Sequence, residues 1–517
     1  ENDPFVYIGG LITWNDYADT SWYNDPSATS FTIDTAAKLA GLAELVNGGK
    51  DFNGKTINLG ADIDLEGIAW IPIGTGSNVF KGNFDGDGKK ISNLNINRIT
   101  SYNGLFGNSS NGKLENVTLE NINILIYTPD VTNYAYTGSL AGKAQHVNNV
   151  TVTGSINIEV TGGARYVGGI VGHLYNGHMS NCELNSNDGV GLISAKYDVG
   201  ALAGYVYYGT SITNSTVRNM RINGYLGVGG VSGRIQNEYG AFLLKNINIE
   251  NIILGKLNQG VESSCVGGFL GYPYQSITVT IKDSQLKDVR IESSHIYNGL
   301  FYGLYSNTEQ YGKVILENVN YSGDCTTQSG EYDYLRKAVG LQKGETVKYY
   351  SPIKTAIAAY ENAENGDYTI IIKDGTYKED SIMIRQQVDK SLTIKAENNL
   401  KAIFVNENTA DSTGIFHISG GSKYDTGAVT FEGIRFELPA GANIDCFGIK
   451  LLGESDGGTI HRYASNVTVR NCEFIGNVEK SCAVWSGAGS QPKNILIEGC
   501  KGDGLTALYN GYGNGIT

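Results

Sequence analysis

The 517-residue chain is 18% charged with a formal net charge of −13, so nucleic acid and anionic membrane surfaces are poor partners for it. An acidic polymer such as de-esterified pectin is likewise repelled overall, unless calcium bridges the two. No apolar run approaches the roughly 20 residues of a membrane span, so direct insertion into a bilayer is not expected.

Near the amino terminus, Asp85-Gly86-Asp87-Gly88 follows Asp62 and Asp64 by some twenty residues. Stacking could gather these carboxylates around calcium. The plainer reading is that Asp-Gly is a tight-turn dipeptide, and on that reading no cofactor is needed. Seven short Gly-bounded apolar clusters then recur at 103–107, 138–142, 168–172, 200–204, 229–233, 267–271 and 299–303. Their closing glycines lie 29 to 38 residues apart. Each cluster is followed by an Asn or Asp that opens an alternating segment: Asn116, Asn149, Asn181, Asn214, Asn246, Asp283 and Asn318. A period near thirty marks a solenoid. Alternation such as Val150, Val152, Ile156, Ile158 belongs to strands with one buried face, and no repeat carries a helical pattern. Asn tolerates the left-handed corner conformation, and stacked Asn side chains can bond to each other in a ladder. The expected fold is all-β, a right-handed parallel β-helix with about one coil per repeat.

The run Phe80–Leu94, followed by the Gly-Leu-Phe-Gly and Val-Gly-Gly-Ile-Val-Gly clusters, resembles the GLUG-motif surface proteins of Gram-negative gut commensals. Residues 31–47 look like the short capping helix of that family and 57–65 like its first coil. The resemblance covers about residues 13–320. It implies a pectin-lyase-like β-helix on the cell surface, with adhesion or glycan recognition as its role and no implied reaction. Glu1 does not begin a signal peptide, so the sequence is read as a mature or trimmed form of a protein carried on the bacterial outer-membrane surface, lipid-anchored or secreted.

Residues 321–350 are polar and mixed and read as a linker between a domain at 1–320 and a second at 351–517. Beyond Ser351-Pro352, residues 353–361 have apolar positions at helical spacing. Strands are expected at 368–373 and 392–396, and further coils at 429–436, 467–474 and 495–500. The pattern resembles, loosely, the entry of pectin-esterase and pectin-lyase β-helices, so a second capped coil stack is expected, continuing past Thr517. Cys472 and Cys500 are placed at equivalent inward positions on neighbouring coils, as stacked free thiols or a strained disulfide.

Chemistry is hard to locate. An esterase needs two carboxylates and an Arg. Glu437, Asp445 and Glu473 are the nearest acidic strand ends, without the flanking pattern that resemblance would require. A polysaccharide lyase needs a base beside calcium-binding carboxylates, for which Arg435, Arg462, Arg470, Asp445 and Asp456 are available but not clustered. The aromatic signal is broader. Among 33 tyrosines, several gather at coil corners: Tyr134 and Tyr136, Tyr205, Tyr207 and Tyr208, Tyr272 and Tyr274, Tyr302 and Tyr305, Tyr509 and Tyr512. Tyrosine offers a flat apolar face with a polar tip, suited to sugar rings or a protein surface. The same residues also serve as covers of the coil. The expectation is a non-catalytic adhesin or glycan-binding protein with ligand residues Tyr205, Tyr207, Tyr208, Tyr272, Tyr274, Tyr302 and Tyr305. Its partner would be a host or dietary glycan or a surface protein. A carbohydrate-active enzyme in the second domain and a structural stalk are the alternatives.

Overall fold

The computed structural model describes residues 12–97, 101–128, 134–163, 165–237, 240–255, 263–274, 277–295, 297–304, 313–327, 338–378, 381–406, 413–420, 426–440, 446–455, 460–477, 481–487, 492–511 and 514–516. They fall into two compact units: residues 1–314 with 321–336, and 315–320 with 337–517.

In the first unit a short strand, Ser30–Ile33, leads into a helix, Ala36–Asn47, capped by the Thr35 side chain. From there the chain winds as a parallel β-helix whose strands stack in register. One inward column runs Phe31, Ile57, Phe84, Leu114, Val147, Met179, Ile212, Leu244 and Ile281. A second runs Ile63, Ile91, Leu119, Val152, Leu184, Val217, Ile249 and Leu286. All of these side chains are buried. The alternation therefore does what a period of two dictates: one face fills the lumen and the other faces out. The Gly-bounded clusters form the remaining corner, where Gly104's Cβ would meet the Gly138 carbonyl oxygen at 2.4 Å, so only glycine lets neighbouring coils approach there.

All seven asparagine or aspartate corners are left-handed, from φ 50 at Asp283 to φ 57 at Asn116. Their amides form the expected ladder. Asn116 donates to Asp85 (3.0 Å), Asn149 to Asn116 (2.8 Å), Asn214 to Asn181 (3.2 Å) and Asn246 to Asn214 (3.0 Å). Asn181 donates to Asn148 instead, one position early. A second column lies five residues on, at Asn93, Asn121, Asn219 and Asn251, also left-handed. There Asn121 donates to Asn93 and Asn251 to Asn219. Asp85 and Asp64 are the acceptors that head the two columns.

The second unit repeats the plan. Its helix, Ile353–Glu361, buries Ile353, Ala356, Ile357 and Tyr360. Three parallel faces follow, with inward columns Ile370, Ile394, Phe431, Val469; Tyr377, Phe404, Phe436, Phe474; and Ile382, Phe416, Ile449, Val484. The aromatic column closes to 4.6 Å between Phe436 and Phe474. The expected linker at 321–350 holds structure of its own. Val339–Lys343 and Thr346–Ser351 form an antiparallel hairpin closed at Lys343 and Thr346. Its turn is Gly344-Glu345, with Gly344 at φ 60, the tight-turn chemistry of a two-residue loop. Cys472 and Cys500 are both free thiols.

Candidate functional site

Two positions before four of the Gly clusters a left-handed residue recurs: Tyr166 (φ 72), Asp198 (φ 52), Gly227 (φ 73) and Cys265 (φ 58). Immediately after the clusters a second column runs Lys143, His173, Tyr205, Arg234 and Tyr272 on successive coils. The two columns face each other across the glycine corner, and the angle between them is filled by their own side chains. Tyr205 stacks on Tyr166 at 4.5 Å and on His173 at 4.8 Å. The Arg234 guanidinium lies 4.8 Å from the Tyr205 ring centroid and 4.4 Å from that of Tyr274. Tyr205 donates to Gln236 at 2.8 Å, and Tyr272 donates to Asp198 at 3.0 Å. Asp198 also pairs with Arg234 at 3.8 Å.

Gly227 sits between these groups. A Cβ there would meet Tyr272 Cε1 at 2.7 Å and Asp198 Oδ1 at 2.9 Å, so the glycine keeps the hydrogen-bond path open. Burial pushes the Asp198 carboxyl up to about 6 against the pull of Arg234. Burial, then Lys143 and Arg234, pushes His173 down to about 3. Both ring nitrogens of His173 lack a hydrogen-bond partner.

This arrangement covers three of the residues expected at the binding face. Tyr205, Tyr272 and Tyr302 are 6%, 2% and 8% exposed, and the Tyr205 ring is already stacked against protein on both sides. Such rings support the corner and have no free face for a sugar. Tyr207, Tyr208 and Tyr274 are half-buried, with Tyr207 packed on Tyr208 at 4.2 Å. Tyr305 and Tyr512 lie outside the described residues. Tyr134 is exposed and stacks on Tyr136 at 6.0 Å.

On the first unit the asparagine columns open an outward groove of about 320 Å³, lined by Gly67, Asn93, Leu94, Asn95, Asn121, Ile122, Asn123 and Ser155. Asn123 donates to Asn95 and Asn157 to Asn123, a third amide row on the same face. None of the lining residues is titratable, and each lining amide, with one N–H and its oxygen engaged in the rows, keeps a second N–H and a second lone pair facing out. The sequence reading took one Asn per repeat and missed this surface, although the second Asn five positions on was visible at Asn116/Asn121, Asn214/Asn219 and Asn246/Asn251.

In the second unit, Arg435 lies 2.9 Å from Glu437 and 3.5 Å from Glu473 on the neighbouring coil. An arginine between two carboxylates matches what a lyase would need. The first unit holds the same pattern at Arg218, 3.0 Å from Glu183 and 3.3 Å from Glu250, which marks it as a recurrent cross-coil ion-pair ladder. Arg470 pairs with Glu498 at 3.9 Å. Asp445, Asp456 and the Arg462 side chain lie outside the described residues. Trp485, half-buried, stacks on Phe447 at 4.8 Å, with Lys450 Nζ 5.0 Å from its ring centroid. In the first unit, Asp62 and Asp64 accept bonds from Lys90 and from Glu66 and Asn93, and Asp85 from Asp87 and Asn116. No group of three or more metal-ligating side chains occurs among the described residues, and none of their helices is long and apolar enough to cross a membrane.

No family model matches the chain. It is 32% identical over 149 residues to a putative Gly-rich membrane protein of Evansella cellulosilytica, a match covering 28% of this chain and 16% of that protein. It is 34% identical over 164 residues to halomucin of Haloquadratum walsbyi, covering 29% of this chain and 2% of that protein. The chain therefore spans less than a fifth of either relative's length. Solved structures similar to it include a PL6 family alginate lyase, at 12% identity and a TM-score of 0.22 over 92% of this chain and 81% of that one. The catalytic domain of a GH87 alpha-1,3-glucanase is similar at 12% identity and a TM-score of 0.23 over 97% and 70%.

Proposed function

We propose that this chain is a non-catalytic extracellular surface protein of the GLUG-motif type that binds a neutral glycan along the amide-lined groove of its first unit. The observation that carries the reading is the groove's lining: Asn93, Asn95, Asn121 and Asn123 from neighbouring coils, with Ser155 and no acid, base or nucleophile. Rows of fixed amides match the hydroxyls of a sugar chain, which are donors and acceptors at once. The net charge of −13 disfavours an acidic polymer in the same place. Tyr207, Tyr208 and Tyr274 then act as half-buried corner packing rather than as the stacking platform. The membrane-protein name of one partial relative is in keeping with a place at the cell surface.

The arginine between Glu437 and Glu473 favours one second reading, a carbohydrate-active enzyme acting on acidic chains. One experiment separates the two. The native chain is offered neutral and uronate polysaccharides, while binding, new reducing ends and ultraviolet absorbance from unsaturated ends are followed together. Retention of neutral glycans without new ends supports the binder. New ends on a uronate polymer, or retention of uronates alone, overturns it.

A further inference from the structure

On the outward surface of the first unit, His146 in the strand Ala141–Gly162 and His178 in the strand Val171–Ser180 hold the same register position on neighbouring coils. Lys113 precedes them in that column and Ser211 follows. The two Nδ1 atoms are 3.2 Å apart, and the ring centroids 4.7 Å apart with the planes inclined at 49°. The pair borders an open hollow of about 300 Å³ that Lys113, Glu115, Asn148 and Ser180 also line. His178 is exposed and His146 half-buried.

Two imidazole nitrogens that close need something between their lone pairs, either one proton or one cation. We propose that His146 and His178 form an open two-histidine chelate for a divalent transition-metal ion such as copper, nickel or zinc. The geometry fits that class. With metal–nitrogen bonds of roughly 2.0–2.1 Å, nitrogens separated as these are subtend an angle of roughly 100° at the ion. That lies between the cis angle of an octahedron and the angle of a tetrahedron. The ring centroids would then fall about 5 Å apart, close to where they already stand.

Imidazole nitrogens suit copper, nickel and zinc, whereas calcium and magnesium call for oxygen. With two protein ligands the remaining positions belong to water, and Glu115 is placed on the hollow's wall to accept from that water. Such a site captures an ion reversibly, unlike the closed four-ligand sites that hold a fold together. Imidazole ligates through an unprotonated ring nitrogen, and the Lys113 ammonium in the same column opposes the incoming charge.

The test uses the full chain without a polyhistidine tag, titrated with Cu²⁺ by calorimetry and followed by electron paramagnetic resonance. The expected result is one tight equivalent with the hyperfine pattern of two nitrogens, unaffected by excess Ca²⁺. H146Q and H178Q should each weaken binding by about tenfold or more and lose that pattern, whereas H295Q should change neither. Because both side chains face outward, unchanged thermal melting of the variants shows that the coil is intact. No uptake by the native chain, a pattern without two nitrogens, or undiminished binding by H146Q and H178Q would overturn the proposal.

Discussion

Tyr272 donates its phenolic hydrogen to Asp198, a residue 74 positions earlier in the chain, at 3.0 Å. The bond passes over Gly227 on the coil between, whose missing side chain makes room for it. A fully buried carboxylate held by one phenol and one arginine is a point where pH reaches the fold.

Asp198 has a folded pKa of about 6, raised from 3.8 by burial. A raised carboxyl favours the protonated folded state, so its contribution is fully present below about pH 4 and is lost as pH rises through about 6. The difference amounts to roughly 3 kcal/mol. Thermal melting of the native chain and of D198N, compared at pH 4 and pH 7.5, should show the variant gaining on the native protein at the higher pH. A constant difference between them would mean that Asp198 does not titrate in this window.

His173 presents the opposite slope. Its folded pKa, pushed down by burial to about 3, means the unfolded chain takes up a proton first as pH falls below the ordinary histidine value, and stability is lost from there downward. Its two unpartnered nitrogens also cost stability at neutral pH. H173F keeps the stack against Tyr136 and Tyr205 and removes both penalties. At pH 7.5 it is expected to stabilise the fold by about 1–3 kcal/mol, measured as a rise in the denaturant midpoint, and the gain should widen at pH 5.

The ladder can be divided into its two parts at Asn149, which combines φ 53 with a 2.8 Å amide bond to Asn116. N149A loses both the left-handed tolerance and the bond, and should cost roughly 2–3 kcal/mol. N149G restores the backbone freedom and should recover a good part of that loss. Equal losses from the two variants in chemical denaturation would assign the whole effect to the amide.

Cys500 is the thiol expected to react first. The neighbouring Cys472 thiol lowers its pKa, while Cys500 and burial push Cys472 up. Cys500 is half-exposed. Burial raises the other half-exposed thiol, Cys325. Maleimide labelling at pH 7 followed by peptide mapping should find Cys500 modified ahead of Cys325, and C472A should slow it.

The coil and its corners were legible in the sequence because each is set locally. A left-handed corner favours Asn, Asp or Gly, and a one-sided strand needs alternation, so Asn116 and Val150 announce themselves. Burial of Tyr205 and Tyr272 was not legible. Alternation marks both as outward residues, and they are outward. They are covered by corner strands of earlier coils, Arg165–Gly168 with Tyr166 and Tyr197–Gly200 with Asp198, a non-local event that no spacing records. The hairpin at Val339–Ser351 was hidden by its polar strands. The amide groove escaped for a different reason, since its Asn columns were read as internal scaffolding when they also form a surface.

The central claim is that the amides, and not the tyrosines, hold the ligand, and a paired binding measurement tests it directly. N95S/N123S and Y207S/Y208S are compared with the native chain for affinity to whichever neutral glycan it retains. Asn95 and Asn123 adopt ordinary strand conformation, outside the left-handed corners, so their exchange leaves the fold in place. The account predicts a loss of about tenfold or more for the asparagine pair, with little change for the tyrosine pair. Loss confined to the tyrosine variant would contradict it.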